Sequence, residues 1–140
     1  MENQPKIAIL GGTGSLGSGL AKRWVKAGFP VIVGSRTAEK AHEAASALTP
    51  AAGGPAPTGL SNYDAAKAAD IVVLTVPFSN HDAILDEIKD VVEGKIVVDA
   101  VVPLVPPKVA VVQLPPEGSA GMIAQNKIGE KARVVSAFQN

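Results

Sequence analysis

The chain contains no cysteine, which removes disulfides and thiolate chemistry from consideration. It has two histidines, His42 and His81, too few without thiols for a structural zinc site, and no metal ligands are assigned. Neither sign of charge is in excess. Thirteen basic and thirteen acidic side chains cancel, so nothing draws the chain toward nucleic acid or an anionic membrane surface. No stretch reaches the ~18 apolar residues of a membrane span, and Met1 to Lys6 carries no apolar signal region. A cytoplasmic location is the resulting expectation. The sequence shows no Ser-His-Asp spacing, no carboxylate pair of glycosidase type and no phosphate-loop lysine behind its glycines. Hydrolytic and kinase chemistry therefore have nothing to stand on.

What is present is a globular α/β composition. The chain is 46% hydrophobic with 14 glycines and 11 prolines, and its length fits one domain over residues 1–140. Apolar runs and helical spacings alternate along it. Ile7-Ala8-Ile9-Leu10 reads as a first strand, and Leu16, Leu20 and Trp24 then recur every four residues as the core face of a helix ended by Gly28. Val31 to Gly34 is a second strand. An alanine-rich helix follows over Ala38 to Leu48, with Thr37 as N-cap and Pro50 as its stop. Thr58-Gly59-Leu60 is a weak third strand, and Ser61 with Asp64 suggests a capping box for a helix through Ala69.

Ile71 to Val76 is apolar throughout, as in a parallel strand covered on both faces. A helix with Ile84, Leu85, Ile88, Val91 and Val92 inward leads through Gly94 to a fifth strand, Ile96-Val97-Val98. Residues 100–117 are rich in proline and read as an apolar lid or partner surface. Ser119 to Lys127 is a further helix, and Ala132 to Ala137 is a sixth strand. The alternation predicts βαβ units and a doubly wound parallel sheet, the Rossmann arrangement, with about six strands in the order 3-2-1-4-5-6.

Between the first strand and the first helix lies Gly12-Thr13-Gly14-Ser15-Leu16-Gly17, which fits G-x-G-x-x-G in the context the motif requires. Gly12 permits the tight turn, Gly14 lets backbone approach a pyrophosphate, and Gly17 allows close helix–sheet packing. The new helix points unpaired N–H groups at the phosphates. The second strand selects the dinucleotide. NAD sites end it in Asp or Glu to accept from the ribose 2′-OH. Here it ends Gly34-Ser35-Arg36-Thr37 with Lys40 one turn on, so a hydroxyl, a guanidinium and an ammonium converge where a 2′-phosphate would lie. NADP(H) is the expected cofactor. Pro77, Phe78 and Val102, at the ends of strands four and five, are candidates to wall the nicotinamide. His81 is read as a solvated residue in the first turn of a helix rather than a proton relay, Asp99 as a turn cap, and His42 is given no role.

Taken together, the stretches Leu10 to Gly17, Gly34-Ser35-Arg36, Val76-Pro77-Phe78, Lys95 to Asp99 with Val102-Pro103, and Arg133 to Phe138 resemble the NADPH-dependent reductases of the deazaflavin coenzyme F420. The resemblance runs in register over the whole chain. It implies direct hydride transfer between stacked nicotinamide and deazaflavin rings, with no catalytic side chain and the protein supplying orientation. It assigns Thr13, Gly14, Ser15 and Leu16 to the pyrophosphate, Ser35, Arg36 and Lys40 to the 2′-phosphate, and Pro77, Phe78 and Val102 to the nicotinamide end. Members of the family continue past the sixth strand into a helical region that helps form the deazaflavin pocket and a homodimer. The chain is therefore expected to correspond to the N-terminal NADP-binding portion, with small-molecule cofactors as its partners. Two alternatives keep the same cleft: a reductase of another acceptor (an imine, a flavin or a ferric complex), or a non-catalytic NADP(H)-binding regulatory module.

Overall fold

Ile7-Ala8-Ile9-Leu10 is apolar at every position because both faces of its strand are covered, and all four side chains are buried. The computed structural model describes residues 4–100 and 132–136. Over these the order is β1 (Ile7–Leu10), α1 (Ser15–Lys26), β2 (Val31–Ser35), α2 (Ala38–Ser46), β3 (Thr58–Ser61), α3 (Asn62–Ala68), β4 (Ile71–Leu74), a 3-10 turn (Phe78–Asn80), α4 (His81–Ile88), β5 (Ile96–Asp99) and β6 (Arg133–Ser136). The strands form one parallel sheet in the order β3-β2-β1-β4-β5-β6, as the sequence predicts. The chain direction across the sheet reverses between β1 and β4, where a doubly wound sheet opens a crevice at its strand C-termini. The expected lid, the helix over Ser119 to Lys127 and the candidate Val102 lie outside the described residues.

Alternation along each strand divides the core into two. Ile7 and Ile9 of β1 join Val31, Val33 and Val73 beneath α1 and α2, whose Leu20, Ala21, Val25, Ala41 and Ala45 close that side. Ala8 and Leu10 face the other way, with Val72, Leu74 and Val97, beneath Ala65 and Ala66 of α3 and Ile84, Leu85 and Ile88 of α4. Trp24 packs, partly buried, on the first cluster. Leu16 does not. It is 41% exposed, because the buried stripe of α1 runs through Gly17, Leu20, Ala21 and Val25 instead. Gly17 is pressed onto the turn beneath it, where an added Cβ would stand 2.7 Å from Gly12 Cα and from Thr75 Oγ1.

Helix ends follow the local chemistry. The hydroxyls of Thr37 and Ser61 accept from the N–H groups of Lys40 and Asp64 at 3.3 Å, as N-caps do. Gly28 follows α1 at φ 92°, whereas α4 ends at Ile88, short of the expected Val91 and Val92, and Gly94 at φ 77° lies in the turn before β5. α2 ends at Ser46, before the expected Leu48, because Ala47 and Leu48 donate three residues back, to Ala44 and Ala45, and tighten the last turn ahead of Pro50. The ammonium of Lys95 caps α3 by donating to the carbonyls of Ala66 and Lys67, both at 2.7 Å. Burial pushes the Lys95 ammonium below its ordinary 10.5, partly offset by the nearby Asp70 carboxylate.

Two predictions follow from this packing. Gly59→Ala places a Cβ 2.3 Å from the backbone of Ala41 and His42, because α2 lies directly on β3. It is expected to destabilise by about 3 kcal/mol or more. Gly19→Ala, mid-helix with nothing within 4 Å of the new Cβ, is expected to stabilise by about 0.5–1 kcal/mol. Urea unfolding of both variants measures the two signs. For Lys95 the unfolded chain holds its proton up to 10.5 while the folded chain releases it earlier. Stability attributable to this group therefore rises with pH through the window just below 10.5 and is flat on either side. The difference between wild type and Lys95→Met in unfolding free energy should show that slope, and a flat difference would contradict it.

Candidate functional site

The chain leaves β1 through Gly11 at φ 76°, a conformation open to glycine. Thus Gly11, rather than the expected Gly12, supplies the left-handed residue of the turn. Its position is crowded besides: a Cβ there would sit 2.9 Å from Val76 Cγ1 and 3.1 Å from Val76 N. The N–H groups of Gly11 and Gly12 both donate to Gly34 O at 3.1 Å, and Gly14 N–H returns to Gly11 O at 3.1 Å. The turn is thereby tied to the end of β2. Thr75 fastens it on the other side, donating through both N–H and hydroxyl to Leu10 O at 3.0 and 2.8 Å.

Gly14 is the N-cap of α1 and offers no side-chain cap, and the first turn of the helix carries no acidic residue. A Cβ on Gly14 would meet only Gly11 O, at 3.5 Å, so the space before the turn is open. The first-turn N–H groups of α1 have no intrahelical partner, and with the helix dipole they favour an anion.

These features open onto a cleft of about 420 Å³ at the C-terminal ends of the strands. Of the residues singled out from the sequence, Thr13, Gly14 and Ser15 line one part and Ser35, Arg36 and Lys40 another, with Pro77 along the floor. Gly12 is buried under the turn, and Leu16 is exposed on the first turn of α1; neither lines the cleft. Phe78 opens the 3-10 turn directly after Pro77. Arg36 and Lys40 are exposed, whereas Ser35 is buried at the strand end. No carboxylate lines the cleft among the described residues.

Asn62 and Asn80, which the sequence reading missed, also line it, as does Thr75 at the end of the fourth strand. Asn62 had one usable signal, its position directly after β3, the strand beside β2. The readings of His81 and Asp99 need correction. His81 is buried rather than solvated, and Asp99 is the last residue of β5 rather than a turn cap. Their side chains meet at 2.8 Å, Nε2 to Oδ2, with both residues essentially inaccessible. The pair ties the start of α4, just after the Pro77–Asn80 floor, to the end of β5. Its partners are 18 residues apart, and only the β4-α4-β5 crossover brings them together. No group of three metal-ligating side chains occurs among the described residues, and no helix there is long and apolar enough to cross a membrane.

A family model described as NADP oxidoreductase, coenzyme F420-dependent, matches residues 6–103. The chain belongs to this family. It is 44% identical to the F420-dependent NADP reductase of Methanocaldococcus jannaschii, over 96% of the chain and 63% of that protein. It is 50% identical to the F420-dependent NADP reductase of Methanothermobacter thermautotrophicus, over 71% of the chain and 44% of that protein. Among solved structures, a protein from an Arthrobacter species described as an F420-dependent NADP reductase superposes with a TM-score of 0.76 at 28% identity, over 96% of the chain and 63% of that protein. The chain thus spans between 44% and 63% of the length of these curated relatives.

Removing one member of the buried pair isolates its weight. Asp99→Ala leaves His81 Nε2 without its acceptor in the interior and is expected to cost about 2 kcal/mol in chemical denaturation. Asp99→Asn, which can still accept, should cost less. Equal losses in the two variants would mean that neither the bulk of residue 99 nor a neutral acceptor there replaces the carboxylate.

Proposed function

We propose that the cleft binds NADP(H), and that the chain forms the dinucleotide-binding part of an oxidoreductase that moves hydride between NADP(H) and coenzyme F420. One observation carries the reading: an uncapped helix N-terminus and a cationic, carboxylate-free end of β2 face the same cleft. The residues fit a dinucleotide. Open space before Gly14 admits a pyrophosphate next to the N–H groups of Thr13 to Leu16, and Gly12 lets the turn sit low enough for that approach. Ser35, Arg36 and Lys40 hold a 2′-phosphate. Arg36 contributes a planar fork of donors and Lys40 a compact charge. Pro77, Phe78 and Val102 flank the nicotinamide.

When bound, the dinucleotide supplies the hydride chemistry. The chain's own residues bind and orient it, and no side chain is assigned as acid or base. F420 as the acceptor rests on the family and on the relatives, whose names carry it. A homodimer is proposed on the same resemblance, with small-molecule cofactors as partners; a cytoplasmic setting and the lack of a nucleic-acid partner are proposed from the composition.

Titration of NADPH and NADH, followed by nicotinamide fluorescence, tests the cofactor. NADPH should bind more tightly, and Arg36→Ala should weaken it by about 2 kcal/mol, roughly thirtyfold, with little effect on NADH. Equal affinities for the two cofactors would sink the 2′-phosphate reading. Mixing NADPH with oxidised F420 and following the deazaflavin absorbance tests the acceptor. Binding without turnover would leave the cleft as an NADP(H) module and remove the acceptor from this chain.

A further inference from the structure

Asn62 stands at the start of α3, immediately beyond β3, and is 5% exposed. It nevertheless lines the cleft, together with Gly11 and Thr13 of the glycine turn and Ser35 and Arg36 at the end of β2. A buried amide is costly unless its polar atoms are satisfied. The Oδ1 of Asn62 accepts from Gly11 N–H at 3.4 Å, a donor that also reaches Gly34 O. Gly34 makes room for this oxygen, since a Cβ there would lie 2.9 Å from it. Because Gly11 presents a donor, the oxygen end of the amide faces the turn and the nitrogen end is the other one. That nitrogen has no protein partner among the described residues.

We infer that Asn62 is a specificity-determining residue of the cleft, whose amide nitrogen donates to the 2′-phosphate of the bound dinucleotide. The inference rests on the NADP(H) reading above. The chemistry is one of hydrogen-bond polarity. An amide nitrogen donates and does not accept. NAD sites read the 2′-hydroxyl with an acceptor, Asp or Glu, whereas the oxygen of Asn62 faces the glycine turn, where it accepts from Gly11 N–H. A 2′-phosphate offers acceptor oxygens alone and suits the nitrogen. One side chain therefore braces the glycine turn with its oxygen and reads the ribose substituent with its nitrogen. It does so from the start of α3, directly beyond the strand that pairs with β2.

Calorimetric titration with adenosine 2′,5′-bisphosphate and with AMP tests this, since the two probes lack the nicotinamide half and differ only in the 2′-phosphate. The wild type should prefer the 2′-phosphorylated probe. Asn62→Ala should lower the ratio of the two affinities by about tenfold, on top of any loss common to both. Asn62→Asp keeps the acceptor for Gly11 N–H, so its melting midpoint should stay near wild type. Its ratio should fall further than that of Asn62→Ala, because the new carboxylate repels phosphate. If the ratio in Asn62→Ala stays at the wild-type value, even with both affinities reduced, Asn62 is a brace only and the inference falls. The failure of the underlying reading looks different: the wild type then shows no preference for the 2′-phosphate, Arg36→Ala changes nothing, and this inference falls with it.

Discussion

The structure depends on how closely backbone approaches backbone where the chain leaves β1. At Gly11 the neighbour is Val76, at Gly12 it is Ile9 O, and at Gly17 it is the turn itself, each 2.7–2.9 Å from where a Cβ would stand. No side chain fits at those distances without moving main chain. The contacts fix three things together. The end of β4 lies against the turn, the start of α1 lies over it, and the carbonyl of Gly34 on β2 takes two of its N–H groups. The cleft is the space left above that junction, so the first-turn N–H groups of α1 and the cationic wall are held in one frame by packing that any larger residue would disrupt.

The sheet beneath can be modest because of this. Most of its strands are four residues long and β2 has five, near the short end for strands. The central strands β1, β2 and β4 gain rigidity from being covered on both faces, with alternate side chains shared between two helical layers. The loops at the C-terminal ends are then anchored one by one: the turn by Gly34 and Thr75, Asn62 by Gly11, and the Pro77–Asn80 floor by its continuation into His81, whose imidazole is held by Asp99. These anchors join neighbouring strands, except that Asn62 reaches from the end of β3 past β2 to the end of β1, so the floor and both walls of the cleft are positioned by the sheet rather than by the loops themselves.

What could be read from the sequence was local. Unbroken aliphatic runs marked buried parallel strands, Thr37 and Ser61 marked helix starts, and the glycine spacing marked the turn, because each signal sits within a few residues of what it specifies. Leu16 misled because helical periodicity gives a face but not which edge of that face meets the sheet, and Gly17, the smaller residue, was the one pressed inward. His81 and Asp99 misled for a different reason. A polar residue in the first turn of a helix is solvated unless a distant partner meets it, and the sequence does not show that partner until the crossover is folded. Asn62 escaped notice in the same way, since its acceptor role is defined by Gly11, 51 residues away.

The charge balance shows how a global property can hide a local one. Equal numbers of acids and bases argue against a polyanion partner, because long-range attraction follows the summed charge. A small anion responds to what lies within a Debye length of it, about 8 Å at physiological salt. The lining of the cleft itself is not neutral: Arg36 and Lys40 belong to it, and its remaining described residues are uncharged. Acidic residues are gathered elsewhere, as with Asp82, Asp86 and Glu87 along α4, while Asp99 is turned inward onto His81. Sorting the signs in this way leaves a cationic site on a chain with no net charge.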